Sequence, residues 1–303
     1  MKKPTILPFG ECFVDLTNER TQLIRPFTLT LQTAFQKTME TQIAKNLWPD
    51  IGHPKFNNRP NVTKRHQYLT LADLAIMQPL MQTRTTYPNI CPQPPQDHLV
   101  LFKVEDLTLE GVKASFSLYL YTGAASINQA QQAAIGAIAA DNLVACNGLL
   151  YRLKMKFQRM RPFQAAYLSH ALGFEYQGAR SAYSPSLPSG HCLSGVYAAC
   201  RVFEAHLERK ITPALDSDQI ERLQQLAVDI GDRRVMAGVH YPTDNIASWY
   251  CMASLIPHCF PNYVNEIKEF LKRCIEKSAV WIELKKSSDP HHANAVKWLA
   301  KVI

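Results

Sequence analysis

An arginine on an apolar stripe constrains this chain more than any other single feature. Beyond Asp216 or Asp218, either of which can cap a helix, Ile220, Leu223, Leu226, Ala227 and Ile230 recur at the three- and four-residue spacing of one helical face. Arg234 falls on that face one turn later. A cation on a buried face is costly unless it is paired, so the spacing predicts a buried anion opposite Arg234. It also demands other helices to bury the stripe, and the sequence offers them. Thr30–Leu47 spaces Leu31, Phe35, Met39, Ile43 and Leu47 along one face and ends at Trp48-Pro49. Leu69–Met81 reads as helix, with Pro79 expected to end or kink it. Asn128 can cap a long helix through about Phe157. Pro188-Ser189 opens a helix to about Leu207, with Leu193, Val196, Tyr197, Cys200 and Phe203 on one face. Thr243 opens Asp244–Leu255, and residues 262–303 hold two more helices split near Ser287–Pro290. Leu99–Val104 reads as a short strand, and Ala114–Tyr121 is ambiguous between strand and helix. Residues 1–28 read as an extended arm and 49–67 and 82–97 as loops. The fold class is therefore mainly α.

Chemistry-bearing residues gather at the predicted ends of these helices, in three pieces. The first runs from Lys154 to Arg161-Pro162, the second is Pro188-Ser189-Gly190-His191, and the third runs from Arg234 through His240 to Asp244. Together they supply three cations, a hydroxyl beside a glycine, two histidines, and a carboxylate four residues after the second histidine. That inventory suits a dianionic tetrahedral oxyanion. Cations and donors hold the equatorial oxygens, one histidine attacks, and the other protonates the leaving group. Taken singly, each residue has a plainer use. Ser189 can cap a helix, Asp244 can sit favourably at a helix N-terminus, and Lys154 can be a solvated surface charge. The ordered spacing favours the functional use.

The three pieces resemble the signature of the type 2 phosphatidic acid phosphatase superfamily, which includes bacterial class A acid phosphatases and vanadium-dependent haloperoxidases. That signature is Lys, six residues, Arg-Pro; then Pro-Ser-Gly-His; then Ser-Arg, five residues, His, three residues, Asp. Every spacing holds, and one position departs: Arg233 stands where the family has Ser. The resemblance implies a helical bundle over residues 121–303 carrying the active site, with residues 1–120 a segment of unknown role packed on it. It implies His240 as nucleophile, Asp244 as its orienting partner and His191 as general acid. Lys154, Arg161, Ser189, Gly190 and Arg234 would hold the phosphoryl group. Arg233 would point to solvent or add a cation to the pocket rim. The implied reaction is metal-independent hydrolysis of a phosphomonoester through a phosphohistidine, with no cofactor required. The alternative within the family is a haloperoxidase, with vanadate as cofactor bound at His240; for a phosphatase, vanadate would be an inhibitor. From a different class comes a non-catalytic protein that binds phosphate or a phospholipid headgroup, which would need neither histidine.

Composition narrows the partners. The formal net charge of +8 is spread along the chain with no basic run, which argues against nucleic acid and leaves a phosphate-bearing small molecule or lipid phosphate. No stretch has the ~18 uninterrupted apolar residues of a membrane span. Asp141, Asn142 and Asn147 break Ala133–Leu150, and Ser248, Pro257 and His258 break Ile246–Phe260. The N-terminus is a poor secretory signal, so the expected location is cytoplasmic, or periplasmic or secreted were the chain a processed form. The eight cysteines contain no C-x-x-C pair and are expected as buried free thiols. Asn61-Val-Thr63 matches a glycosylation sequon by chance. No zinc pattern appears, and the His291-His292 pair is the one place for an adventitious metal ion. The sequence leaves oligomeric state and leaving group open.

Overall fold

The computed structural model describes residues 29–49, 64–82, 102, 129–142, 147–170, 174–179 and 182–303. Among them the secondary structure is helical: α1 Leu29–Asn46, α2 Lys64–Gln82, α3 Gln129–Asn142, α4 Asn147–Phe157, α5 Pro162–Leu168, α6 Gly190–Leu207, α7 Ser217–Met236, α8 Pro242–Cys259, α9 Val264–Lys277, α10 Ala279–Lys286 and α11 Pro290–Leu299. The mainly α expectation holds. The boundary expected at residue 120, Ala114–Tyr121, the sequon, and Cys12, Cys91 and Cys146 lie outside the described residues.

Helices α6, α7 and α8 form the centre. α6 packs on α3, α7, α8 and α9, and α7 also on α2 and α10, while α8 carries α11 on another side. The predicted stripes explain this. Leu193, Val196, Tyr197 and Cys200 of α6 and Leu223, Leu226, Ala227 and Ile230 of α7 are all buried, and each large apolar side chain so buried contributes about 1.5–3 kcal/mol. The two helices approach so closely that a Cβ on Gly231 would lie 2.8 Å from both Cβ and Sγ of Cys192. α9 shows the amphipathic pattern most clearly: Ile267, Phe270, Leu271, Cys274 and Ile275 face inward and the intervening charged residues outward. Met39 and Ile43 of α1, Leu47 just after it, Leu74 and Met77 of α2 and Leu299 of α11 join the same hydrophobic cluster as the central helices.

Several boundaries differ from expectation. α2 begins at Lys64, earlier than the periodicity suggests, and carries Pro79 inside its last turn. So near a helix end Pro79 disturbs little, since the helix stops at Gln82. The helix predicted from Asn128 to Phe157 is helical at Gln129–Asn142 and Asn147–Phe157, and residues 143–146 between them lie outside the described residues. Phe102, the described residue of the expected strand Leu99–Val104, is helical and fully buried; the short apolar run had no period long enough to separate the two. α8 continues past Leu255 to Cys259.

The C-terminal region forms three helices rather than two. The extra break is at Ser278, whose Oγ accepts the Trp281 N–H at 3.1 Å as the cap of α10 and donates to Asp232 of α7 at 2.8 Å. Asp232 also accepts the Ala279 N–H at 2.7 Å, so one buried carboxylate ties α7 to the start of α10. Ser278→Ala removes the cap and one of those donors together. We expect a loss of about 1–3 kcal/mol in chemical denaturation; an unchanged midpoint would show that the junction is held by packing alone.

Candidate active site

The connection between α7 and α8 sets the site. α7 ends in a Schellman turn: the Gly238 N–H donates to Val235 O at 2.9 Å and the Val239 N–H to Arg234 O at 3.1 Å. This turn requires a left-handed residue, and Gly238 supplies it with φ +75°. A Cβ there would also sit 3.0 Å from Glu175 O. Two residues on, the His240 N–H also donates to Arg234 O at 3.2 Å, which pins the histidine backbone to the end of α7.

The next helix then orients the ring. Tyr241 and Pro242 begin α8, and Asp244 lies in its first turn, where Oδ2 accepts the Tyr241 N–H at 2.9 Å and lies 3.1 Å from His240 Nδ1. Asp244 thus occupies a helix-start position and faces the histidine at once. On the other side of the ring, Arg161 Nη1 is 2.8 Å from Nε2. Arginine can only donate. Nε2 must therefore accept, so the ring proton resides on Nδ1 and is donated to Asp244. Burial, then the charges of Arg161, Lys154, His191 and Arg234, hold His240 well below the usual histidine range. The result is a neutral imidazole with its Nε2 lone pair directed at a guanidinium.

The other predicted residues converge from the ends of four helices. Lys154, buried in the last turn of α4, donates Nζ to Pro185 O and to Ser186 O, the latter at 3.2 Å. Arg161 is the residue before α5; its Nε donates to Ser184 O and its Nη1 to Val239 O, each at 2.7 Å. Its non-helical backbone, φ −70° and ψ 151°, is the one that Pro162 favours. Ser189 caps α6, accepting the Cys192 N–H at 3.4 Å, and Gly190 and His191 follow as the first residues of that helix. Arg234 is fully buried beneath the Phe102 ring at 4.4 Å, whose π face supplies part of the compensation its apolar stripe demands. Arg233 corrects an expectation. It neither reaches solvent nor lines a rim; it is fully buried, 3.9 Å from Asp229 on the same helix.

Behind the histidine lies a layer that the motifs do not show. Arg159 is 1% exposed. Its Nη1 donates to Asp244 Oδ1 at 2.9 Å and Thr243 Oγ1 at 2.8 Å, and its Nη2 to Asp73 Oδ2 at 2.6 Å. Tyr241 and Trp48 cover its guanidinium at 3.8 and 4.3 Å. Thr243 Oγ1 donates to Asp73 Oδ2. His292 Nε2 lies 3.0 Å from Asp73 Oδ1, and Ser287 Oγ 2.8 Å from His292 Nδ1. Burial raises the Asp244 carboxyl against the opposing pull of Arg159 and the Tyr241 N–H. Burial also pushes Asp73 up, but Arg159, His292 and His291 outweigh it and keep Asp73 an anion. One ligand atom each from Asp73, His291 and His292 lies within 4.8 Å of the others, a set that could hold a metal ion. Asp73 Oδ2 is engaged by Arg159 and Thr243, and Oδ1 by His292, so the hydrogen-bonded use accounts for the carboxylate without one.

Residues 133–268 match the family model described as the PAP2 superfamily. This segment belongs to the PAP2 superfamily. No curated protein and no solved structure matches the chain. The PAP2 superfamily generally comprises phosphatases, which sets the coarse activity as phosphatase-type chemistry on a phosphate-bearing substrate. The three motif pieces all fall within the PAP2 segment, whereas Trp48, Asp73, His291 and His292 lie outside it. No described helix is long and apolar enough to cross a membrane.

Buried neutral histidines make stability depend on pH. Burial first, against the opposing charge of Asp73, lowers His291 to about 4. The unfolded chain takes up this proton as pH falls through about 6.5, whereas the folded chain waits until about 4. The stabilisation is therefore complete above 6.5 and is lost as pH drops towards 4. Asp232, raised to about 7 mainly by burial, acts in the opposite sense over its own range. Comparison with His291→Gln separates the two: between pH 6.5 and 4 the parent should lose about 2–3 kcal/mol more than the variant in denaturant titrations, and parallel curves would contradict the assignment.

Proposed function

We propose that the chain is a phosphomonoester hydrolase that works through a phosphohistidine at His240. The observation that carries this reading is the setting of the His240 ring: Nδ1 faces Asp244 at 3.1 Å while Nε2 faces the Arg161 fork at 2.8 Å. A fixed neutral imidazole whose lone pair points at a cation is arranged to attack an electron-poor centre carrying negative oxygens. Arg161, Lys154 and Arg234 neutralise the equatorial phosphoryl oxygens, with Ser189 Oγ and the Gly190 N–H as added donors at the start of α6. The Nε2–P bond forms as the ester P–O bond breaks, and the departing oxygen takes a proton from His191. Asp244 holds the Nδ1 proton and stabilises the positive phosphoimidazole. Water, deprotonated by His191, then attacks phosphorus, releasing phosphate and restoring neutral His240. Because the nucleophile is the imidazole itself, the reaction requires no metal-bound hydroxide. Vanadate, tetrahedral and anionic, inhibits at the same cradle. The five described cysteines are free and suit a reducing, cytoplasmic setting.

Phosphate release from an aryl phosphate, in chelator at mildly acidic to neutral pH, tests the reading. The parent should turn over with an acid limb below pH 6.5 and be inhibited by vanadate, and His240→Ala should lose about a thousandfold or more. His191→Ala should lose about 10²–10⁴-fold on an alkyl phosphate and much less on an aryl phosphate, whose leaving oxygen needs little protonation. Full activity in His240→Ala would refute the mechanism. Absence of turnover by the parent, with peroxide-dependent halide oxidation on adding vanadate, would replace it with the haloperoxidase.

A further inference from the structure

We propose that Asp73 and His292, which lie outside the PAP2 segment, are positioning residues for His240 that act through Arg159 on Asp244. The inference rests on the phosphatase reading of His240. Arg159 is a fork with a carboxylate on each prong: Nη1 on Asp244 at 2.9 Å and Nη2 on Asp73 at 2.6 Å. All three side chains are at most 1% exposed, so water screens little of their interaction. The guanidinium cannot rotate away, because Trp48 and Tyr241 stack on it. Its hold on Oδ1 leaves Asp244 Oδ2 to face the imidazole, which fixes the ring as well as the carboxylate.

The charges give Asp73 its role. Asp244 and Arg159 alone sum to zero, and a neutralised carboxylate is a weak partner for a cationic phosphoimidazole. Adding Asp73 leaves the trio with one negative charge in excess, which is what the phosphorylated ring requires. Asp73 must therefore remain charged at full burial, and its surroundings do this. Arg159 and Thr243 donate to Oδ2, and His292 donates Nε2–H to Oδ1, with Ser287 Oγ 2.8 Å from its Nδ1. Tyr68 of α2 donates to Asp289 at 2.7 Å, and Asp289 caps α11, so the helix carrying His292 is itself fastened to the helix carrying Asp73. A purely structural ion pair would need neither the second carboxylate on the same arginine nor the contact of that arginine with the nucleophile's partner.

Asp73→Asn removes the charge while keeping the shape. The groups that face His240 and Asp244 in the variant are Arg159, Arg161, Lys154, Arg234, His191 and Tyr241, with His291 and His292 behind them. With one negative charge gone, kcat for an aryl phosphate should fall about 10–100-fold, the scale of an outer-shell partner, with KM changed by less than about threefold. The acid limb of kcat/KM should move to lower pH, because protonated His240 has lost stabilisation. A merely loosened structure predicts the reverse, since a hydrated His240 returns towards its ordinary value. Asp73→Ser, which leaves room for a water, serves the same measurement if Asp73→Asn fails to fold. A ring-nitrogen NMR titration of His240 in parent and variant reads the same shift without substrate. A parent without phosphatase turnover would thus remove the phosphatase reading, while the titration still decides the network. An acid limb and His240 titration that stay in place or move up would overturn the inference. So would loss of the parent's activity on chelation and its recovery with zinc, which would assign Asp73, His291 and His292 to a metal ion.

Discussion

Arg159 is the contact on which most of the site depends. A guanidinium at 1% exposure would be untenable alone, and the protein surrounds it with a carboxylate at each prong, a threonine hydroxyl and two aromatic faces. Those partners come from separate parts of the chain: Trp48 just after α1, Asp73 from α2, and Tyr241, Thr243 and Asp244 from the start of α8. Once the arginine is held, the rest follows in order. Asp244 has one oxygen occupied and one directed at His240, the imidazole has one tautomer, and Nε2 faces Arg161.

The helix ends complete the arrangement. α6 and α8 begin at the site and α7 finishes there, so the candidate side chains are carried at capped, tightly turned junctions. The Schellman turn at Gly238 and the first-turn carboxylate Asp244 lie on the two sides of His240, leaving its backbone little freedom. The geometry of the candidate site is obtained here from local chain rules that would operate in any helical protein, applied at neighbouring places.

This explains what could be read from the sequence. The apolar stripes of α6 and α7, the cap at Ser189 and the four-residue interval from His240 to Asp244 are local, so periodicity and spacing revealed them. Arg234 on an apolar face was legible as a residue needing compensation. Arg159 was not, although it sits inside the first motif, because its meaning depends on Asp73 and Trp48, more than eighty residues away in sequence. In the sequence His292 is half of a pair open to an adventitious metal ion; only tertiary packing shows it buried against Asp73. Arg233 misled for the same reason, since its pairing with Asp229 lies on the inward side of α7. The extra break at Ser278 was missed because the serine's cap also depends on Asp232, supplied by a distant helix.

The same dependence bears on how the protein loses structure. Trp48 and Asp73 precede the PAP2 segment, and His292 follows it. Fluctuations that lift α1 or α2 away would strip Arg159 of a ring or its second carboxylate, and loss of α11 would strip Asp73 of His292, while the three central helices stayed folded. Local opening of the ends and loosening of Asp244 beside His240 then become one event with one free energy. On the proposed reading the outer helices report integrity, and a partly opened molecule would fall silent before its core unfolds.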